Sequence, residues 1–222
     1  MPYRPFAATI AGDILLEPGP GFGDGSHETT QVCLQALAAL APRTGSWRML
    51  DFGSGSGILS IAAARRGAVV DAVEIDALAR AHGEQNAAAN RVSERIRSVR
   101  TLGETRPPFD FVVANILRAV LLDHAGALVD CMAAGATLVL SGLVSTDVPE
   151  VSVAYAARLE GERPEVYERG EWRALVWRHF AGRRPSFDGL EVLNERALAS
   201  AILDGSRTGG GAAVSTASVS ER

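Results

Sequence analysis

The amino-acid sequence predicts an α/β fold in which helices cover both faces of a mostly parallel, seven-stranded sheet that ends in an antiparallel hairpin. Three observations lead to this prediction. Short apolar runs alternate along the chain with Ala-rich segments of helical periodicity. Residues 109–114 are almost all apolar, which is typical of a parallel strand buried on both faces. A glycine-rich turn at residues 53–57 joins the first strand to a helix.

The predicted elements follow one another in a regular order. The expected strands cover residues 49–52, 69–74, 97–102, 109–114, 136–141, 165–169 and 172–180. The expected helices cover residues 28–40, 58–66, 77–90, 118–132 and 148–159. Ser26 is a suitable N-cap for the first helix, and Asp76 is favoured as the N-cap of the third. Because strands alternate with helices, we expect right-handed crossovers between parallel strands.

Composition and charge exclude several classes of protein. A hydrophobic fraction of 47% and a charged fraction of 22% are typical of a globular protein. The net charge is −4, and the sequence has no repeated clusters of Lys and Arg interspersed with aromatic residues. We therefore expect no direct nucleic-acid partner. Cys33 and Cys131 lie far apart without metal-ligand spacing, which predicts buried free thiols and no metal site. No apolar run approaches a membrane span, and we expect a cytoplasmic protein.

The glycine-rich turn is the first candidate for a binding site. Gly53, Gly55 and Gly57 allow a tight turn that passes close to a ligand, and the next helix presents free N–H groups there. Ile58 occupies the third glycine position of a dinucleotide fingerprint, which disfavours NAD. Asp51 suits a ligand that carries an ammonium and a carboxylate, such as S-adenosylmethionine. An ordinary strand-to-helix turn is the alternative interpretation.

A carboxylate at the end of the second strand is the next candidate. Glu74 follows the first glycine by about 20 residues, the offset at which a second parallel strand brings an acid to ribose hydroxyls. Asp76 is the alternative acid, although we favour its role as a helix cap.

Further candidates lie in the segment at residues 18–30 and after the fourth strand. Phe22 is expected to cover the cofactor or the reacting methyl group, with loop packing as the alternative. We do not assign His27 as a base. We expect it to order the loop or to form a hydrogen bond across the opening of the cofactor site. Asn115 ends the fourth strand at the ligand edge of the sheet, where its carbonyl can accept a hydrogen bond from a substrate amine. A turn-forming role is the alternative for Asn115.

Three blocks of sequence together resemble one known family. Residues 18–30 read Pro-Gly-x-x-Phe-Gly-x-Gly-x-His-x-Thr-Thr, residues 50–63 read Leu-Asp-Phe-Gly-x-Gly-Ser-Gly-Ile-Leu-x-Ile-Ala-Ala, and residues 112–117 read Val-Val-Ala-Asn-Ile-Leu. Their order and spacing are similar to those of the PrmA-type bacterial methyltransferases, a family of lysine methyltransferases that modify a large-subunit ribosomal protein. The resemblance implies a Rossmann-like class I methyltransferase fold and S-adenosylmethionine as methyl donor. It places the cofactor contacts at Thr30, Gly53, Glu74 and Asn115.

The chain also departs from that family's usual pattern. Asp24, Ser54, Glu74 and Ala77 stand where the family usually has Thr, Cys, Asp and Pro. We expect the family's N-terminal recognition domain to be missing, because the segment before Pro18 is short.

These observations predict three parts of the chain and one function. The parts are an N-terminal segment with the Gly-rich cofactor loop at 1–25, a methyltransferase domain at 26–182, and a C-terminal helix with a disordered tail at 183–222, the helix being expected at 187–203. We expect an N-methyltransferase acting on protein lysine or amino groups, with Asn115 as the catalytic residue. A small-molecule amine acceptor and a non-catalytic cofactor-binding module remain alternatives, and the oligomeric state is not readable from the sequence.

Overall fold

A computed structural model of the 222-residue chain describes residues 2–3, 14–178 and 191–192. The strands of the central sheet are β1 Trp47–Phe52, β2 Ala68–Val73, β3 Ile96–Val99, β4 Phe109–Asn115, β5 Met132–Val144, β6 Glu165–Arg169 and β7 Trp172–Arg178. The helices are α1 Glu28–Leu40, α2 Ile58–Arg65, α3 Ala77–Ala89, α4 Arg118–Asp123, α5 Ala125–Asp130 and α6 Val148–Ala156. Short 3-10 turns lie at Ser93–Arg95, Leu102–Glu104 and Ser145–Asp147, and Pro2–Tyr3 pairs with Ile14–Leu15 as a small antiparallel ladder.

The order of the parallel strands in the sheet changes direction at one point, between β1 and β4. The order is β3-β2-β1-β4-β5-β7-β6, with Glu191–Val192 pairing outside β6. Strands β1 to β5 are parallel, and β7 is antiparallel to both β5 and β6. The predicted fold and its closing hairpin are therefore confirmed. Chain order reverses between β1 and β4, and ligands bind outside the carboxyl ends of strands at such a switch point.

The sheet separates two hydrophobic cores, and β4 contributes to both. Because side chains alternate along a strand, Phe111 and Val113 pack with α1 and α2 on one face. Val112 and Ala114 pack on the other face in the cluster that holds Tyr155 of α6. Burial on both faces explains why residues 109–114 read as an almost continuous apolar run. The two cores hold the strand ends, and so the site, on a rigid platform.

Several predicted boundaries are wrong in detail. His27, rather than Ser26, caps α1: its side chain accepts a hydrogen bond from Thr29 N–H, while Ser26 donates its own N–H and hydroxyl to Asp24. The helix predicted at 118–132 is two helices that meet at His124. The third strand ends at Val99 rather than at residue 102.

The C-terminal prediction can be compared with the structure at only two residues. Glu191–Val192 forms a strand against Tyr167 and Glu168, so the helix predicted at 187–203 is wrong there. Backbone pairing at the edge of β6 overrides the helical pattern of the side chains at these positions. The remaining residues of that predicted helix, and the predicted tail, lie outside the described residues.

Candidate functional site

A cleft of about 470 Å³ opens at the carboxyl edge of the sheet, at the switch point between β1 and β4. Its size suits a small ligand. Five of the eight predicted site residues line it: Phe22, Gly53, Gly55, Glu74 and Asn115. The other lining residues are Pro20, His27, Thr29, Asp76, Ala79, Ile116, Leu117, Gly142 and Trp172.

The glycine-rich turn forms the floor of this cleft. The N–H groups of Gly53 and Ser54 both donate to the Val73 carbonyl, at 2.9 and 3.0 Å, and so tie the turn to the end of β2. Gly55 has a φ of +52°, and a Cβ atom at this position would lie 2.4 Å from the Phe22 carbonyl oxygen. A side chain at Gly55 would therefore collide with the segment that carries Phe22.

Glu74 lies half-buried at the end of β2 and faces the turn. Its carboxylate accepts the Gly55 N–H at 3.0 Å and the Asp76 N–H at 2.9 Å. A carboxylate has about four lone-pair sites, so each oxygen can still accept a hydroxyl hydrogen from a ligand. Asp76 itself caps α3 by accepting the N–H groups of Leu78 and Ala79, which confirms the cap prediction.

The end of β4 brings Asn115 into contact with the start of α1. The Asn115 Nδ2 donates to the hydroxyls of Thr29 and Thr30, at 3.2 and 3.4 Å. Among the described residues, no hydrogen-bond partner is seen for its Oδ1. The threonines therefore orient the amide, and its carbonyl oxygen is the atom left to accept a hydrogen bond from a ligand.

Three predicted site residues lie outside the lining of the cleft. Thr30 lines a small adjoining cavity next to Asn115. Gly57, the last residue of the turn, is the N-cap of α2 with a φ of +79° and lines a different small cavity. Asp51 is 2% exposed, and its Oδ2 accepts the Ser60 hydroxyl at 2.6 Å. Burial raises the pKa of the Asp51 carboxyl to about 6, and the hydrogen bond from Ser60 opposes this shift. A contact of these three residues with a donor stays a prediction.

A family model described as "Ribosomal protein L11 methyltransferase (PrmA)" matches residues 8–179 of the chain. The chain belongs to this family. The ribosomal protein L11 methyltransferase of Trichlorobacter lovleyi is 38% identical over an aligned length of 178 residues, and the alignment covers 74% of this chain and 56% of the relative. That of Alkalilimnicola ehrlichii is 40% identical over 170 residues, 76% of this chain and 57% of the relative. The chain thus spans little more than half the length of these curated relatives.

A solved structure of the same family supports this membership. The ribosomal protein L11 methylase of Lactobacillus delbrueckii subsp. bulgaricus aligns with a TM-score of 0.64 and 32% identity. The alignment covers 75% of this chain and 86% of the solved chain. The three sequence blocks that resemble PrmA-type methyltransferases meet at the cleft in this structure, although they are far apart in the chain.

The PrmA-family cleft also has an aromatic rim that sequence reasoning missed in part. The His27 ring lies 5.5 Å from that of Phe22 and 5.0 Å from that of Trp172, in edge-to-face geometry. The prediction that His27 orders the loop agrees with these contacts and with its capping of α1. Trp172 starts β7 and comes from a distant hairpin, so no local pattern placed it here. Leu117, 74% exposed at the cleft, was visible in the Asn-Ile-Leu block but was assigned no role.

The described residues contain neither a candidate metal site nor a candidate membrane-spanning helix. They contain no group of three or more His, Cys, Asp or Glu side chains arranged to share a metal ion. Across the same ranges, no helix has both the length and the apolar character needed to cross a bilayer. Cys33 and Cys131 are buried free thiols, and burial raises the pKa of Cys33 to about 12, so it is an inert core residue.

Proposed function

We propose that this chain is an S-adenosylmethionine-dependent N-methyltransferase that acts on lysine or amino groups of a protein. One observation carries the proposal: the glycine turn, the Glu74 carboxylate and the Asn115 amide converge on a single cleft at the switch point of the sheet. Membership of the PrmA family is consistent with that geometry.

The residues of the cleft suit this donor. Glu74 offers acceptor oxygens to the two ribose hydroxyls while the Gly55 and Asp76 N–H groups hold its carboxylate in place. The donor supplies a methyl group on a positively charged sulfur, with a neutral thioether as the leaving group. The chain's own residues therefore need to position the reactants more than to supply acid or base.

Asn115 is the residue placed to position the acceptor. Its amide nitrogen is held by the hydroxyls of Thr29 and Thr30, and its Oδ1 can accept an N–H of a neutral amine. Such a hydrogen bond would fix the direction of the nitrogen lone pair. A protonated amine has no lone pair to attack with, so the amine must be neutral when the methyl group is transferred.

A protein acceptor is favoured over a small amine by the relatives. The curated relatives of Trichlorobacter lovleyi and Alkalilimnicola ehrlichii are named as methyltransferases of ribosomal protein L11. We extend that substrate to this chain as the first acceptor to test.

Methyl transfer from labelled donor tests the function directly. The full chain is incubated with methyl-labelled S-adenosylmethionine and either purified ribosomal protein L11 or free lysine, and mass spectrometry locates the label. We expect label on lysine or amino groups of the protein. Label on the free amino acid alone would reassign the acceptor to small amines.

Calorimetry separates binding from transfer in the same preparation. We expect S-adenosylmethionine and S-adenosylhomocysteine to bind and NAD not to bind, because Ile58 replaces the third glycine of the dinucleotide fingerprint. Donor binding without transfer to either acceptor would favour the non-catalytic binding module. Binding of NAD in place of the donor would overturn the proposal.

A further inference from the structure

Three polar side chains along one face of α3 hold the segment that precedes the methyltransferase core. His82, Asn86 and Asn90 follow at intervals of four residues, and Asn90 is the C-cap of the helix. All three are buried, at 5%, 0% and 7% exposed, yet none of them lines the cleft. Buried polar side chains need hydrogen-bond partners. The partners of these three residues lie on the backbone of residues 15–21 and on the glycine turn.

The two asparagines bind the first part of this segment, at Leu15 and Glu17. Asn90 Oδ1 accepts the Leu15 N–H at 3.0 Å, and its Nδ2 donates to the Leu15 carbonyl at 2.7 Å. Asn86 Oδ1 accepts the Glu17 N–H at 2.9 Å. Each amide thus pairs with backbone groups on the side of the segment that faces α3, where they would otherwise be buried without partners.

His82 binds the next part of the segment with both ring nitrogens. Its Nδ1 accepts the Gly21 N–H at 3.2 Å, and its Nε2 lies 2.7 Å from the Glu17 carbonyl oxygen. Because Nδ1 accepts the Gly21 N–H, we assign the proton to Nε2, which donates to the Glu17 carbonyl. Asn86 Nδ2 also lies 3.2 Å from Nε2, and with this tautomer it donates to the Ser56 carbonyl and not to the ring. A Cβ atom on Gly19 would lie 2.4 Å from His82 Cδ2, so the backbone at Gly19 passes directly against the ring.

The same segment continues into the wall of the cleft. One residue after Gly21, the Phe22 carbonyl accepts the Ser56 N–H at 2.9 Å, and the Gly23 carbonyl accepts the Ser56 hydroxyl. The Ser56 carbonyl in turn accepts Asn86 Nδ2 at 2.8 Å. Helix α3, the Gly-rich segment and the glycine turn therefore form one hydrogen-bonded junction behind the cleft.

We propose that His82 is a positioning residue: through the Gly21 N–H it holds residues 18–23 against the glycine turn, so that Pro20 and Phe22 form a wall of the donor cleft. The part of this inference that concerns donor affinity rests on the proposed function. The placement of the segment does not, because it follows from contacts within the chain.

Three substitutions of one side chain separate the two contacts of the ring. His82→Asn keeps an acceptor near the position of Nδ1, within reach of the Gly21 N–H. His82→Gln extends to the position of Nε2 and keeps a donor for the Glu17 carbonyl instead. His82→Ala removes both partners.

Two measurements on each full-length variant test the proposal. Amide hydrogen exchange of Gly21 and Ser56, followed by NMR, reports whether the segment stays docked. Calorimetry with S-adenosylhomocysteine reports donor-site affinity. For His82→Gln we expect both Gly21 protection and affinity to fall about tenfold, the effect of losing one buried hydrogen bond. For His82→Ala, which loses both contacts, we expect losses at least as large. For His82→Asn we expect both to stay within about threefold of the wild-type values.

Tyr155→Phe is the matched control for a general loss of stability. The Tyr155 hydroxyl donates to the Leu121 carbonyl at 2.8 Å in the core on the other face of the sheet, away from the segment. We expect this variant to melt at a lower temperature with unchanged Gly21 exchange and unchanged affinity.

The possible outcomes decide between positioning and simple stabilisation. Equal losses in the Asn, Gln and Ala variants, tracking their melting temperatures, would overturn the proposal, as would unchanged Gly21 exchange in His82→Ala. If the wild-type chain binds no donor, the proposed function fails, and the exchange at Gly21 alone then decides whether His82 places the segment.

Discussion

Replacing Asp51 by Asn tests the electrostatics behind the glycine turn. Burial raises the pKa of this carboxyl to about 6, against a value near 4 for an exposed Asp. The folded chain therefore binds this proton more tightly than the unfolded chain. The carboxyl's contribution to stability is fully present below about pH 4 and is lost as the pH rises toward 6. The two-unit interval corresponds to about 3 kcal/mol of unfolding free energy.

The Asn side chain is nearly isosteric, can still accept the Ser60 hydroxyl, and does not titrate. The free energy of unfolding of Asp51→Asn, minus that of the wild type, should therefore increase between pH 4 and pH 8. We expect an increase of about 2–3 kcal/mol that levels off above about pH 7. Urea unfolding at several pH values measures this difference, and the carboxylates that do not interact with Asp51 cancel because both proteins contain them.

Ser60→Ala provides the matched control, because it keeps the carboxyl and removes the hydrogen bond that lowers its pKa. Its stability should decline more steeply than that of the wild type as the pH rises from 4 to 7. A difference between wild type and Asp51→Asn that is flat with pH, or that decreases, would refute the reasoning about burial.

The same variant tests the predicted contact between Asp51 and the donor. If the carboxylate attracts the donor ammonium, Asp51→Asn should bind S-adenosylmethionine about tenfold more weakly at pH 8, although its stability relative to the wild type is greater there than at pH 4. Wild-type affinity should then decrease as the pH falls through 6, because the carboxyl becomes neutral. Equal affinities at pH 8 would remove Asp51 from the binding residues.

Three further substitutions test the cleft itself. Glu74→Ala should weaken donor binding by about 1–3 kcal/mol in calorimetry, because ribose hydroxyls would lose their acceptor; an unchanged affinity would show that another group holds the ribose. Asn115→Ala should lower the single-turnover rate of methyl transfer about 100-fold while donor affinity falls much less, and a rate within about threefold of wild type would remove Asn115 from catalysis. Gly55→Ala should reduce both melting temperature and donor affinity, because its Cβ would collide with the Phe22 carbonyl; wild-type values of both would contradict that close approach.

The sequence alone was enough to predict the order of the elements and the position of the cleft. Apolar runs of strand length, Ala-rich helical stretches and glycines at a turn are local signals, since each depends on neighbours in the chain. The rule that parallel strands end at one edge then placed Glu74 and Asn115 together without any long-range contact being known. Both residues line the cleft in the structure.

Only the tertiary structure decided which side chains reach that cleft and what holds its wall. Asp51 is adjacent in sequence to the turn but is buried against Ser60, because the direction of a side chain depends on which face of the sheet it packs against. Trp172 reaches the rim through the β5–β7 pairing, which joins residues far apart in the chain. In the sequence, His82 has the pattern of an ordinary helical residue. Only the structure shows that the segment at residues 14–23 packs over it. Contacts of this kind arise from the packing of distant elements, and no periodicity within one element encodes them.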